Sequence, residues 1–186
     1  MGQRTDQMFE RGQLFLNNGN YEQALRLFNQ VLNREPTHKG ALKNKVLIQI
    51  AERETDKARE SIEFALSENP KDDELQEIAG SFYINNNDIE SGVAHLNRAV
   101  ELNDGNVLAH YGLGIVTANQ YEDHQQAVFH FSKAIEQDPE FADAFFNRGC
   151  SYLIEKQMKQ ARKDFVRARE LGHEEAQDLL DSYFME

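Results

Sequence analysis

The chain's only three prolines stand at residues 36, 70 and 139, separated by 34 residues and then by 69, which is 34 plus 35. Proline interrupts a helix, so this is a spacing of helix ends. Taking residues 5, 39, 73, 107 and 142 as first positions aligns five units, 5–38, 39–72, 73–106, 107–141 and 142–175, the fourth longer by one residue. Position 8 then reads Gly12, Val46, Gly80, Gly114, Gly149; position 20 reads Ala24, Ala58, Gly92, Ala127, Ala161. Position 27 reads Val31, Ala65, Ala99, Ala134, Ala168, and large apolar residues hold position 24: Phe28, Ile62, Leu96, Phe131, Phe165. A chain with such a period builds its core by stacking one structural unit against the next.

Each unit carries two amphipathic helical patterns separated by a polar turn, such as NNGN at 17–20 or NNND at 85–88. In the second helix of the first unit, Ala24, Phe28 and Val31 fall at i, i+4 and i+7, on one face. A glycine inside a helix costs about 1 kcal/mol relative to alanine. Four of them at one repeat position need a packing reason, and the expectation is that the two helix axes cross closest there. Leucine at Ala58 or Ala134 is then expected to cost roughly 1–3 kcal/mol by overpacking. Residues 174–186 place Ala176, Leu179, Leu180, Tyr183 and Phe184 on one face of a further helix, expected to cover the open end of the last unit.

Small residues at positions 8, 20 and 27, an aromatic near 24 and proline near 32, repeating every 34 residues, resemble the tetratricopeptide repeat (TPR) family. The resemblance spans residues 5–175. It implies an all-α fold: antiparallel helix pairs stacked into a right-handed α-solenoid, here one domain over residues 1–186, with first helices lining a concave face. There are departures. Asp104 and His173 replace the proline of the third and fifth units, position 4 lacks the frequent tryptophan, and position 11 holds Gln49 and Thr117 where Phe15, Tyr83 and Tyr152 are aromatic. The second and fourth units are therefore expected to pack less tightly.

Composition narrows the function classes. A net charge of -12 disfavours nucleic acid or an anionic membrane as partner. The acidity is concentrated: residues 73–141 hold twelve acidic and two basic residues, Arg98 and Lys133, for a sum of -10. One cysteine, Cys150, makes no intramolecular disulfide, and neither a signal-peptide h-region nor a long apolar run is present, so a cytoplasmic location is expected. No enzyme constellation is found. His110, His124 and His130 lack metal-ligand spacing, HYGLGIV contains the repeat glycine Gly114 rather than a phosphate loop, and Cys150 has no histidine nearby in sequence. No cofactor or metal is expected.

The resemblance implies that positions 2, 5, 6, 9, 12 and 13 of each first helix face the groove. The candidate ligand-binding residues are Lys43, Asn44, Leu47, Glu74, Glu77, Ile78, Ser81, Tyr111, Ile115, Phe146, Asn147 and Cys150. Some TPR proteins grip the C-terminal carboxylate of a heat-shock chaperone with Lys and Asn, then Asn, then Lys and Arg, in three consecutive units. Here the corresponding triples read Phe9, Gln13, Asn44, Glu74, Ile78, or Lys43, Leu47, Ile78, Leu108, Gly112, or Glu77, Ser81, Gly112, Asp143, Asn147, and none supplies that clamp. The lining suits an apolar peptide or short helix with basic residues, Tyr111 and Phe146 as anchors and Glu74 and Glu77 facing a ligand cation. The implied role is a non-enzymatic adaptor or scaffold. The alternatives are a dedicated chaperone for one client, or self-assembly with Tyr183, Phe184 and Met185 docking into another copy's groove.

Overall fold

A computed structural model describes residues 2–184, and among them it contains eleven helices and no strand. The helices are α1 (Gly2–Asn17), α2 (Tyr21–Leu32), α3 (Lys39–Ala51), α4 (Thr55–Glu68), α5 (Asp73–Asn85), α6 (Ile89–Leu102), α7 (Val107–Asn119), α8 (His124–Gln137), α9 (Ala142–Ile154), α10 (Met158–Glu170) and α11 (Ala176–Phe184). Helices α3, α5, α7 and α9 start at 39, 73, 107 and 142, the first positions of the sequence period. The fold divides into two compact units, Met1–Ile78 and Ala79–Glu186.

Four of the five turns inside the helix pairs share one backbone solution, and the turn of the fourth pair, one residue longer, closes instead with Asp123 N–H donating to Thr117 O at 3.0 Å. Asn20 N–H donates to Phe15 O at 2.8 Å and Gly19 N–H to Leu16 O at 2.9 Å, closing the end of α1; Glu54 to Gln49 and Arg53 to Ile50 repeat this after α3, as do Gln157 to Tyr152 and Lys156 to Leu153 after α9. Each of the five turns places one residue in the left-handed region: Gly19 (φ 72°), Arg53 (59°), Asn87 (66°), Glu122 (53°) and Lys156 (59°). Only one of the five is glycine, so three side chains other than glycine or asparagine bear the strain of a conformation that glycine adopts freely. Side chains open α5, α6, α7 and α8: Asp72 accepts from Leu75 N–H, Asp88 from Ser91 N–H, Asn106 from Ala109 N–H and Asp123 from Gln126 N–H.

The core of the first unit joins Ala24, Phe28 and Val31 of α2 to Ala41 and Ile48 of α3, with Leu42, Ala65 and Leu75 in a second cluster. In the second unit Leu96 and Ala99 pack with Ala109 and Leu113, and Ala161 and Phe165 pack with Leu180 of α11. Ala58 and Ala134 are fully buried, which is the environment in which an added leucine overpacks.

Why position 8 is glycine is now visible, and the reason differs from a simple approach of helix axes. A Cβ on Gly12 would sit 2.7 Å from the Phe28 ring, on Gly114 2.5 Å from Phe131, and on Gly149 2.8 Å from Phe165. The ring at position 24 fills the space that a side chain at position 8 would take. Backbones meet only at α5 and α6, where a Cβ on Gly92 would lie 2.9 Å from Gly80 O. In the second helix pair the two positions hold Val46 and Ile62, both essentially buried.

At the C-terminal end, Ala176 and Leu180 turn inward and Phe184 approaches Phe165, ring centroids 6.2 Å apart. Tyr183, expected on the same apolar face, is 55% exposed. With 176, 180 and 184 facing the core at i, i+4 and i+8, residue 183 falls at the edge of the buried arc. Met185 lies outside the described residues. Of the residues expected to dock into another copy, Tyr183 is exposed and Phe184 already packs within its own unit.

Candidate functional site

In the second unit the first helices α7 and α9 meet through their side chains. Asn147 of α9 donates from Nδ2 to the Tyr111 hydroxyl of α7 at 3.2 Å and to Asp143 O at 2.8 Å. Tyr111 is half-buried, its ring 4.7 Å from Phe141 and 5.9 Å from Phe131. Burial, and secondarily the Asp143 charge, raise its pKa, so the phenol stays protonated. Both amide hydrogens of Asn147 are thus engaged within the protein. Its Oδ1 remains an acceptor and the Tyr111 O–H remains a donor, side by side on one face. Leu108, one turn before Tyr111, is 52% exposed there.

Phe146 and Cys150 share α9 but face a different environment. Both pack against the core formed by Ala161, Phe165 and Leu180. The Phe146 ring is stacked on His173, centroids 3.9 Å apart and planes 12° from parallel, and His173 Nε2 lies 3.7 Å from Asp143 Oδ1. The histidine that replaces proline in the last repeat therefore closes the flank of Phe146. Burial, then the charge of Glu175, pushes the Cys150 thiol up to about 11, which keeps it protonated and poorly nucleophilic. Ile115 and Ser81 are partly buried.

The first unit holds the remaining candidates. Lys43 of α3 pairs with Glu74 of α5, and Lys39 approaches Asp72 at 3.9 Å, so two of the charges on this face are matched across helices. Glu74 therefore meets a lysine of its own chain where a ligand cation was expected. Asn44 is buried, Leu47 is 39% exposed, and Glu77 and Ile78 are partly buried.

Two polar clusters join residues outside the candidate ligand-binding set. Arg148 donates from Nε and Nη2 to both oxygens of Asp164 at 2.7 and 2.9 Å, and from Nη1 to Ser132 Oγ at 2.9 Å. Asp164 is 2% exposed, so α8, α9 and α10 share a buried bidentate ion pair. The signal available was an aspartate at position 23, next to the position 24 ring and inside an apolar face. The second cluster joins His110 Nδ1 to His130 Nδ1 at 3.3 Å, while His110 Nε2 donates to Asp104 O at 3.0 Å. The Asp104 carbonyl can only accept, so Nε2 of His110 carries a proton. Burial, then the neighbouring His110, lowers the His130 pKa to about 4, so the His130 imidazole is neutral near pH 7.

Among the described residues no group of three or more His, Cys, Asp or Glu is placed to hold a metal ion, and no helix is long and apolar enough to cross a membrane.

Comparison with known proteins agrees with this geometry. Family models described as tetratricopeptide repeat match residues 15–81, 74–106 and 130–163. No curated protein matches the sequence. Among solved structures, PilF of Pseudomonas aeruginosa superposes with a TM-score of 0.86 at 21% identity, over 95% of this chain and 80% of that one. PilW, a type IV pilus biogenesis factor, gives 0.80 at 19% over 99% and 95% of the two chains. YrrB, described as a TPR protein with an unusual peptide-binding site, gives 0.69 at 22% over 94% and 90%. At these identities the likeness is one of fold. Repeat period, helix pairing and family matches over more than half the residues coincide, and the chain belongs to the tetratricopeptide repeat family, whose helix pairs serve as protein-interaction modules.

Proposed function

We propose that this protein is a non-enzymatic scaffold that binds a segment of a partner protein on the face where α7 and α9 meet. The observation that carries this reading is the adjacent donor and acceptor left by the Tyr111–Asn147 hydrogen bond. One residue of an extended segment presents its N–H and its C=O to the same side, the complement of an asparagine Oδ1 acceptor and a tyrosine O–H donor. Leu108 beside them offers apolar area that a partner side chain would cover. The peptide-binding site of YrrB, a protein of the same fold, supports the assignment by analogy.

Photo-crosslinking tests it without disturbing the half-buried rings. A benzophenone amino acid is placed at Leu108, and for comparison at Phe129 of α8, 51% exposed. A partner captured from native lysate at 108 and not at 129, and lost when Tyr111→Phe and Asn147→Ala are added, is the expected result. Capture at 129 alone, or capture at 108 indifferent to both substitutions, would sink the reading. A captured second copy would identify self-assembly, and capture of one client unstable without this protein would identify a dedicated chaperone.

A further inference from the structure

The last helix pair carries charge of the opposite sign to the rest of the molecule. Residues 156–169 contain Lys156, Lys159, Arg162, Lys163, Arg167 and Arg169 against Asp164, a sum of +5 in a chain of -12, which leaves -17 for everything else. Asp164 is buried against Arg148 and neutralises that side chain, not the surface. Lys156, Lys159 and Lys163 are exposed and make no ion pair among the described residues. Arg167 is held beside Phe145, its Cζ 6.0 Å from the ring centroid, and reaches Glu170 at 3.4 Å.

Lys159, Lys163 and Arg167 stand at i, i+4 and i+8, so they form one stripe along α10, and Lys156 lies in the turn that precedes the helix. Successive cations of such a stripe are about 6 Å apart along the axis. Alternate residues of an extended chain are separated by roughly 6.6 Å. We infer that the α10 stripe is a second docking surface, for an extended acidic segment of a partner protein with carboxylates at every other residue. A long polyanion is disfavoured: nucleic acid or an anionic bilayer extends past the stripe, and the rest of the chain carries a net charge of -17. A short segment ends on the stripe. This surface is separate from the α7 and α9 face and stands without it.

The test is fluorescence anisotropy with the full chain and two labelled heptapeptides of equal charge, Glu-Ser-Glu-Ser-Glu-Ser-Glu and Glu-Glu-Glu-Glu-Ser-Ser-Ser. The alternating peptide is expected to bind at least threefold tighter. Lys159→Glu with Lys163→Glu should weaken it at least tenfold, while Arg26→Glu in α2 with Arg34→Glu just after it, an equal change of net charge, should weaken it less than threefold. Because all four positions are exposed, circular dichroism should be unchanged, and Lys163→Gln alone gives a milder variant in the same direction. Equal affinity for the two peptides, or equal loss in the α2 variant, would overturn the inference. So would tighter binding to a thymidine oligonucleotide or to phosphatidylserine vesicles, abolished by the same α10 substitutions.

Discussion

The second and fifth helix pairs are two versions of one template. In α9 and α10, Gly149 faces Phe165, position 7 is Arg148, position 23 is Asp164 and position 11 is Tyr152. In α3 and α4 the same places hold Val46 with Ile62, Lys45, Ser61 and Gln49. The fifth pair combines a large ring with a missing side chain and adds a buried ion pair; the second shares its volume evenly and has no such pair. The backbone tolerates both because what must be conserved is the sum of volumes across the interface and the satisfaction of buried polar groups, not the residue at any one position.

The largest way to break the comparison is Asp164→Ala, which strips the ion pair but leaves the Arg148 charge mostly buried. A loss of about 3–5 kcal/mol is expected in urea unfolding, whereas Ser61→Ala at the matching place should cost under about 1 kcal/mol. Gly149→Val comes next, forcing a side chain into the Phe165 ring and costing about 1–3 kcal/mol. Adding Phe165→Ile to it rebuilds the Val and Ile pair of the second repeat and should return part of that loss; no recovery would mean that the two interfaces differ in more than volume. Gln49→Leu works in the opposite direction. Gln49 is 4% exposed and its Oε1 has no hydrogen-bond partner, so replacing it should raise stability by about 1 kcal/mol. The smallest effect unites the two pairs: Arg53→Gly and Lys156→Gly relieve the same positive φ and should each stabilise by a few tenths to about 1 kcal/mol, read as matching shifts in melting temperature.

Much of this was legible beforehand. The period located every helix pair, because proline, turn residues and small positions all record the same backbone event. The glycines signalled a packing demand correctly, yet only coordinates distinguish a ring from a neighbouring backbone as the cause. Gln49 was readable as a departure, and its orphaned oxygen gives that departure a cost. Contacts between repeats were not readable. The Tyr111–Asn147 bond, the pairing of Lys43 with Glu74 and the Arg148–Asp164–Ser132 network each join residues 16 to 36 apart, and a repeat alignment encodes which position a residue occupies, not which neighbour it chooses. The expectation that all groove positions face outward also blurred a real distinction: Tyr111 and Asn147 line a surface, whereas Phe146 and Cys150 help to close the end of the stack.

That closed end gives the molecule a built-in reporter. Its single thiol sits against the terminal core with its ionisation suppressed, so an alkylating reagent meets little thiolate while α9, α10 and α11 remain packed. Opening of this end would expose the thiol and ease its ionisation, so labelling at Cys150 is expected to accelerate when the last repeat loosens, with no engineered probe.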